Sequence, residues 1–166
     1  MSSSVYIATP FLLILAVLQS AVLPHFPILG HVPQLLFLVA LAWGSLRGAN
    51  EGVMWAFVAG ICQDLFSAIP MGVTSLGFMV AVLVAVLAAQ VFPENRFFLP
   101  LLQGALATII FIGLYFVLLN IMGYELSWET AGFLFPLIIL HSILILPIYW
   151  LLNGLLNTFQ PRRVQL

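Results

Sequence analysis

The chain has 166 residues, of which 64% are apolar and only 5% are charged. A soluble domain usually carries about 25% charged residues, so this composition excludes a water-soluble globule and indicates an integral membrane protein. The formal net charge of −1 gives no electrostatic basis for binding nucleic acid, so we expect the lipid bilayer and no nucleic acid around the chain.

The apolar runs predict an all-α integral membrane protein with six transmembrane helices in a single polytopic domain. About 20 apolar residues are needed to cross about 30 Å of hydrocarbon, and the second and third runs are shorter than that. No basic residue precedes Arg47, so no signal peptide is expected and the first run should stay as a span. The predicted spans are residues 5–23, 34–46, 52–66, 73–92, 97–122 and 130–156.

The arginines indicate how these spans are oriented. Arg47 lies between the second and third spans, Arg96 lies between the fourth and fifth, and Arg162 and Arg163 lie in the tail. An up-and-down arrangement of six spans puts all four arginines on one side of the membrane. The positive-inside rule makes that side cytoplasmic, so we expect both termini in the cytoplasm.

Asp64 is the one acidic residue placed within an apolar run. A carboxylate facing lipid is costly, so the side chain should point into protein or toward the outer water. Gly52, Ala56, Gly60 and Asp64 recur at every fourth position and share one helix face. Small residues at this spacing let two helix backbones approach closely, so we predict that the third and fourth spans pack here. The matching residues of the fourth span are Gly77, Ala81, Ala85 and Ala89.

Three roles are open for Asp64. The first is structural: the carboxylate pins the turn SAIPMG, because backbone N–H groups at the start of a helix lack intrahelical acceptors and favour an anion. The second is contact with a partner protein or with its lipid-linked substrate. The third is a proton or ion relay, which normally needs another titratable group at depth. Only His141 is available for that, and such a histidine more often bonds a facing backbone or side chain.

The sequence shows no pattern typical of catalysis or of metal binding. The three histidines and the single cysteine are not at ligand spacing. There is no P-loop, no nucleophile beside a base and no pair of catalytic carboxylates. We therefore expect no cofactor and no enzymatic activity. Amides within the spans are expected to form interhelical hydrogen bonds, namely Gln63, Gln90, Gln103, Asn120 and Asn153.

Residues 33–76 resemble the MreD family of the bacterial rod-shape system. The pattern is a Leu-rich run after a proline (PQLLFLVALAWGSL), a basic turn (RGANEG), the segment GICQD, and a Pro-x-Gly before the next span (PMGVTSL). The positions that match the family pattern are Gly60, Asp64, Pro70 and Gly72.

The resemblance implies a non-catalytic scaffold of the cell-wall elongation complex in the bacterial inner membrane. The nearest partner that it implies is MreC, a protein with a single membrane span. Further implied partners are the RodA glycosyltransferase, a class B penicillin-binding protein and the actin-like MreB filament. It also implies a fold similar to the substrate-binding subunits of energy-coupling-factor transporters, which bind vitamins.

Two other functions are compatible with a small polytopic protein. A vitamin-binding subunit of a membrane importer would need polar and aromatic residues that converge in an outward cavity. The outer loops are short and poor in hydrogen-bonding groups, which argues against that function. A lipid-handling membrane enzyme is a weaker alternative, because the chain lacks paired titratable groups.

Overall fold

The computed structural model describes residues 4–28, 30–91, 98–124 and 135–159. In these ranges the chain is helical apart from turns and one isolated β-bridge between Ile28 and His31. A short 3₁₀ turn, Leu23–His25, follows the first helix. The α-helices of the described residues are α1 (Ser4–Ala21), α2 (Leu35–Arg47), α3 (Ala49–Leu65), α4 (Val73–Ala89), α5 (Phe98–Ile121) and α6 (Phe135–Phe159).

The helix ends lie near the ends of the predicted spans, with one informative difference at the start of α3. The segment RGANE does not form a separate turn, because Gly48 alone divides α2 from α3. Gly48 has φ +97°, a conformation that favours glycine, and its N–H donates to the Gly44 carbonyl at 2.8 Å. Residues 93–96, most of the loop 123–129 and the tail arginines lie outside the described residues.

Within the described ranges, three helical stretches are long and apolar enough to cross a membrane, namely Ala8–His25, Phe98–Ile121 and Phe135–Thr158. The helices α2 and α4 are apolar but shorter. The 13 residues of α2 extend about 20 Å, which is less than the hydrocarbon thickness of about 30 Å. Its residues 36–42 are all buried, so α2 lies inside the bundle with protein on every side.

An aromatic cluster joins the central helices. Phe37 of α2 packs on Phe78 of α4 with ring centroids 4.8 Å apart, and on Phe111 of α5 at 5.5 Å. Phe78 and Phe111 meet edge to face at 5.0 Å. Rings in these geometries contribute about 0.5–1.5 kcal/mol per pair beyond the area that they bury. The cluster therefore fixes α2, α4 and α5 against one another.

The helices α3 and α4 pack closely, with Ser75 and Val82 of α4 against the glycines of α3. A Cβ atom added at Gly60 would meet the backbone N of Ser75 at 2.6 Å. One added at Gly52 would meet the backbone of Gly44 in α2 at 2.5 Å and the Val82 side chain of α4 at 3.2 Å. Of the α4 residues predicted to face α3, Gly77 instead lies against the Phe111 ring of α5. Small residues occur on more than one face of α4, so their spacing alone could not place Gly77.

Candidate functional site

Asp64 lies in the last turn of α3, where only 2% of its surface is exposed. Its Oδ2 accepts a hydrogen bond from the N–H of Gly72 at 2.7 Å, and its Oδ1 accepts one from the N–H of Thr74 at 3.3 Å. Gly72 is the N-cap residue of α4, and Thr74 is two residues further on. The Asp64 carboxylate therefore caps the N-terminus of a neighbouring helix.

The conformation of Gly72 explains why α4 takes its cap from another helix. An N-cap residue normally uses its own Ser, Thr, Asp or Asn side chain to bond the free N–H groups of the first turn. Gly72 has φ +98°, which favours glycine, and a glycine has no side chain that could cap. Asp64 supplies the missing acceptor, and its negative charge is favoured at a helix N-terminus.

The approach of α3 to α4 allows Asp64 to reach its partners. Gly60 lies one turn before Asp64, directly against the backbone of Ser75. The Ser75 hydroxyl donates to the Phe57 carbonyl at 3.1 Å, which ties the two helices together at the same level. In the connecting turn, the Pro70 carbonyl accepts a hydrogen bond from the first residue of α4 at 3.4 Å. Gly60, Asp64, Pro70 and Gly72 thus form one structural unit.

The N-terminus of α2 is capped by other helices in the same way. Its N-cap residue, Gln34, makes no side-chain cap. The N–H of Leu36 donates to Gln19 Oε1 of α1 at 3.1 Å, and Gln19 Nε2 donates to Gln63 Oε1 of α3 at 2.6 Å. Sequence reasoning missed Gln19, although it is an isolated amide within an apolar run, a pattern that indicates an interhelical hydrogen bond.

His141 of α6 provides the second cap of α2. Its Nε2 accepts a hydrogen bond from the N–H of Gln34 at 3.1 Å, so the ring proton is on Nδ1. Nδ1 lies 3.0 Å from the Thr108 hydroxyl, which in turn donates to the Gly104 carbonyl at 2.6 Å. This chain of hydrogen bonds ends on a backbone carbonyl. It joins no second titratable group among the described residues, so the geometry does not support a proton relay through His141 and Asp64.

Replacing His141 with leucine should destabilise the chain by about 1–3 kcal/mol, because the buried N–H of Gln34 would lose its acceptor. The free energy of unfolding in detergent, followed by circular dichroism, measures this loss. His25 is exposed in the 3₁₀ turn, so His25→Leu is the matched control and should change stability by less than about 0.5 kcal/mol. Equal stability of the two variants would contradict the capping role of His141.

The opposite end of α3 carries a different group of polar residues. Arg47 Nη2 lies 3.5 Å from Glu51 Oε1, and Trp43 Nε1 donates to Glu51 Oε2 at 3.0 Å. The Trp43 ring stacks on Trp55 with centroids 4.1 Å apart. Glu51 and Asp64 are 13 residues apart on one helix, which corresponds to about 20 Å. Arg47 and Asp64 therefore mark opposite ends of the bundle.

The five amides predicted to join helices behave differently from one another. Gln63 bonds Gln19 as described above, and the Gln103 amide lies 2.9 Å from the Ser45 hydroxyl of α2. Asn120 donates to a carbonyl of its own helix instead, so the prediction for this residue was wrong. Gln90 and Asn153 line a cavity at the Arg47 end. Within the described residues, no group of three His, Cys, Asp or Glu side chains could hold a metal ion.

One comparison with known proteins identifies the family of the chain. The model of a family described as rod shape-determining protein MreD matches residues 2–159. No curated protein and no solved structure gave a significant match. The similarity to the substrate-binding subunits of energy-coupling-factor transporters therefore stays a prediction.

Proposed function

Because the chain belongs to the MreD family of rod shape-determining proteins, we propose that it is a non-catalytic scaffold of the cell-wall elongation complex. The family match over residues 2–159 is the observation that carries this proposal. The apolar helices agree with a membrane protein that works through contacts with other membrane proteins.

The use of the buried titratable groups supports a role without chemistry. Both oxygens of Asp64 are engaged by backbone N–H groups of α4, and both ring nitrogens of His141 are engaged within the bundle. A catalytic group must be able to reach a substrate and to exchange a proton with it. These two side chains instead hold short helices in place, so they maintain the shape of the scaffold.

We propose MreC as the nearest partner, with RodA, a class B penicillin-binding protein and MreB as further members of the assembly. Many large apolar side chains are exposed on the helices, and in a membrane they are available to lipid or to the spans of other proteins. Ile14 of α1, Phe98 of α5 and Phe135 of α6 are each at least 70% exposed. Packing of such faces against single-span partners needs no reaction centre.

The proposed orientation follows from the arginines. The Arg47 end of the bundle faces the cytoplasm of a bacterial inner membrane, and the Asp64 end faces outward. A vitamin-importer subunit would need its binding cavity at the outward end, whereas a cavity of about 750 Å³ lies beside Gly48, at the Arg47 end. The importer function is therefore not favoured.

Affinity purification of the tagged chain from its native membranes tests the scaffold. We expect MreC and a penicillin-binding protein to co-purify with it. A polytopic membrane protein of similar size, expressed to the same level with the same tag, is the control and should recover neither. Failure to recover MreC, or tight binding of a vitamin by the isolated chain, would overturn the proposed function.

A further inference from the structure

A cavity of about 750 Å³ opens at the Arg47 end of the bundle. It lies where the C-terminal ends of α2, α4 and α6 meet the N-terminal end of α5. Its volume falls within the range of about 300–1,000 Å³ that is usual for small-molecule sites. The polar and aromatic part of its wall consists of Ser45, Gln90, Gln103, Tyr149, Trp150, Asn153 and Asn157.

Four carboxamide groups line this cavity, and their hydrogen-bonding capacity is mostly unused. Gln103 is 5% exposed, and one atom of its amide bonds the Ser45 hydroxyl. The other atom of that amide has no partner among the described residues. The side-chain amides of Gln90, Asn153 and Asn157 form no hydrogen bond within that part of the chain either. Gln103 is buried at the base of the cavity, whereas Gln90 and Asn157 are exposed and Asn153 is half-buried. Buried polar groups are normally satisfied, so the spare capacity of Gln103, with three further amides facing the same cavity, indicates a hydrogen-bonding occupant.

The wall also indicates the charge of that occupant. No acidic or basic side chain is among its described residues. The wall combines three helix C-termini, which carry partial negative charge, with the N-terminus of α5, which carries partial positive charge, so the helix ends together do not favour an anion. A carboxamide offers both donors and an acceptor, which suits hydroxyl groups that themselves donate and accept. Tyr149 and Trp150 add flat apolar surface beside these amides.

We propose that this cavity binds an uncharged, hydroxyl-rich group, such as the headgroup of a glycolipid or a free sugar. The site is separate from the Asp64 unit, which lies at the other end of α3. It also does not depend on the scaffold function, since a scaffold needs no ligand. The two sources of the ligand differ in their route, because a headgroup enters with its lipid whereas a free sugar enters from water.

The test uses the full chain in phosphatidylcholine nanodiscs that contain a minor fraction of diglucosyl diacylglycerol. Native mass spectrometry then reports which lipid stays bound after the nanodisc is removed. A parallel titration with free maltose follows the fluorescence of Trp150, and Trp150→Phe identifies the signal of that residue. We expect selective retention of the glycolipid or saturable binding of maltose. Retention of the glycolipid identifies a lipid headgroup as the ligand, and binding of maltose identifies a free sugar.

The variants Gln103→Leu and Asn153→Leu should each weaken binding by about threefold to tenfold, because each removes hydrogen bonds to the ligand. Asn153 is only partly buried, so its replacement tests the site even if Gln103→Leu disturbs the fold. Asn120→Leu is the matched control, because Asn120 is an exposed amide outside the cavity, and it should bind like the wild type. Absence of both ligands, preferential retention of phosphatidylglycerol in nanodiscs that contain it, or equal binding by all variants would overturn the proposal.

Discussion

Replacing Asp64 with leucine is expected to destabilise the chain by about 2–5 kcal/mol, since each buried donor left without an acceptor costs about 1–3 kcal/mol. The N–H groups of Gly72 and Thr74 would both lose their partner, and α4 would lose its cap. Asp64→Asn should have roughly half that effect. Its carbonyl oxygen can still accept one of the hydrogen bonds, whereas its amide nitrogen faces the other donor.

The single cysteine of the chain gives a direct measurement of this change. Cys62 is buried in α3, two residues before Asp64, so its reaction with a maleimide reports local opening of the helix. We expect faster labelling in Asp64→Leu together with a lower free energy of unfolding in detergent. Ser67→Ala is the control in the same turn, because the Ser67 hydroxyl only donates to a backbone carbonyl at 3.2 Å. It should change stability by less than about 0.5 kcal/mol.

The same variant distinguishes the structural role of Asp64 from a role in partner binding. If the chain binds MreC as proposed, and Asp64→Leu both unfolds more easily and loses that binding, the lost binding follows from the lost structure. If it keeps the stability and the labelling rate of the wild type but loses the proposed binding of MreC, the capping role is contradicted and direct contact with the partner is supported.

The location of Asp64 at the end of a close helix pair could be predicted from its sequence, because spacing by four residues defines one face of a helix. Its hydrogen-bond partners could be predicted only as a class, the free N–H groups at the start of α4. Which N–H groups the carboxylate meets depends on the path of the turn and on the left-handed conformation of Gly72. That path results from packing and has no local sequence signal.

The caps of α2 were beyond sequence reasoning for a related reason. Gln19 is 17 residues along the chain from Leu36, whose N–H donates to it, and His141 is 107 residues from Gln34, whose N–H donates to it. Contacts of this kind are determined by the arrangement of whole helices, which a single sequence does not encode as a pattern. A lone amide in an apolar run predicts that a partner exists but does not identify it.

The start of α3 shows how a charge pattern can mislead. Arg47 and Glu51 suggest a polar turn, yet Glu51 lies in the first turn of α3. An acidic residue is favoured near a helix N-terminus, and a basic one such as Arg47 is favoured in the last turn of the preceding helix. The same charges therefore agree with two helices joined by Gly48 alone, and the sequence could not decide between these structures.

Gly60→Ala is expected to destabilise the chain by about 3 kcal/mol or more, because the added methyl group would overlap the backbone of Ser75. Alanine normally stabilises a helix by about 1 kcal/mol relative to glycine. A loss of stability in Gly60→Ala would therefore identify the close approach of the two helices as its cause. Gly113→Ala in α5 and Gly154→Ala in α6 are matched controls, since an added Cβ atom meets nothing within 4 Å at either position. Both controls should leave stability unchanged or raise it.

The double variant Gly60→Ala/Asp64→Asn tests whether the two residues act as one unit. If the methyl group separates α3 from α4, Asp64 can no longer reach the N–H of Gly72. Asp64→Asn in the Gly60→Ala background then lowers the free energy of unfolding only slightly. The combined loss should therefore fall short of the sum of the single losses by about 0.5–3 kcal/mol, the range observed for coupled residues. Additive losses would mean that Gly60 sets the helix distance without controlling the cap, and the two residues would then be independent determinants of this end of the bundle.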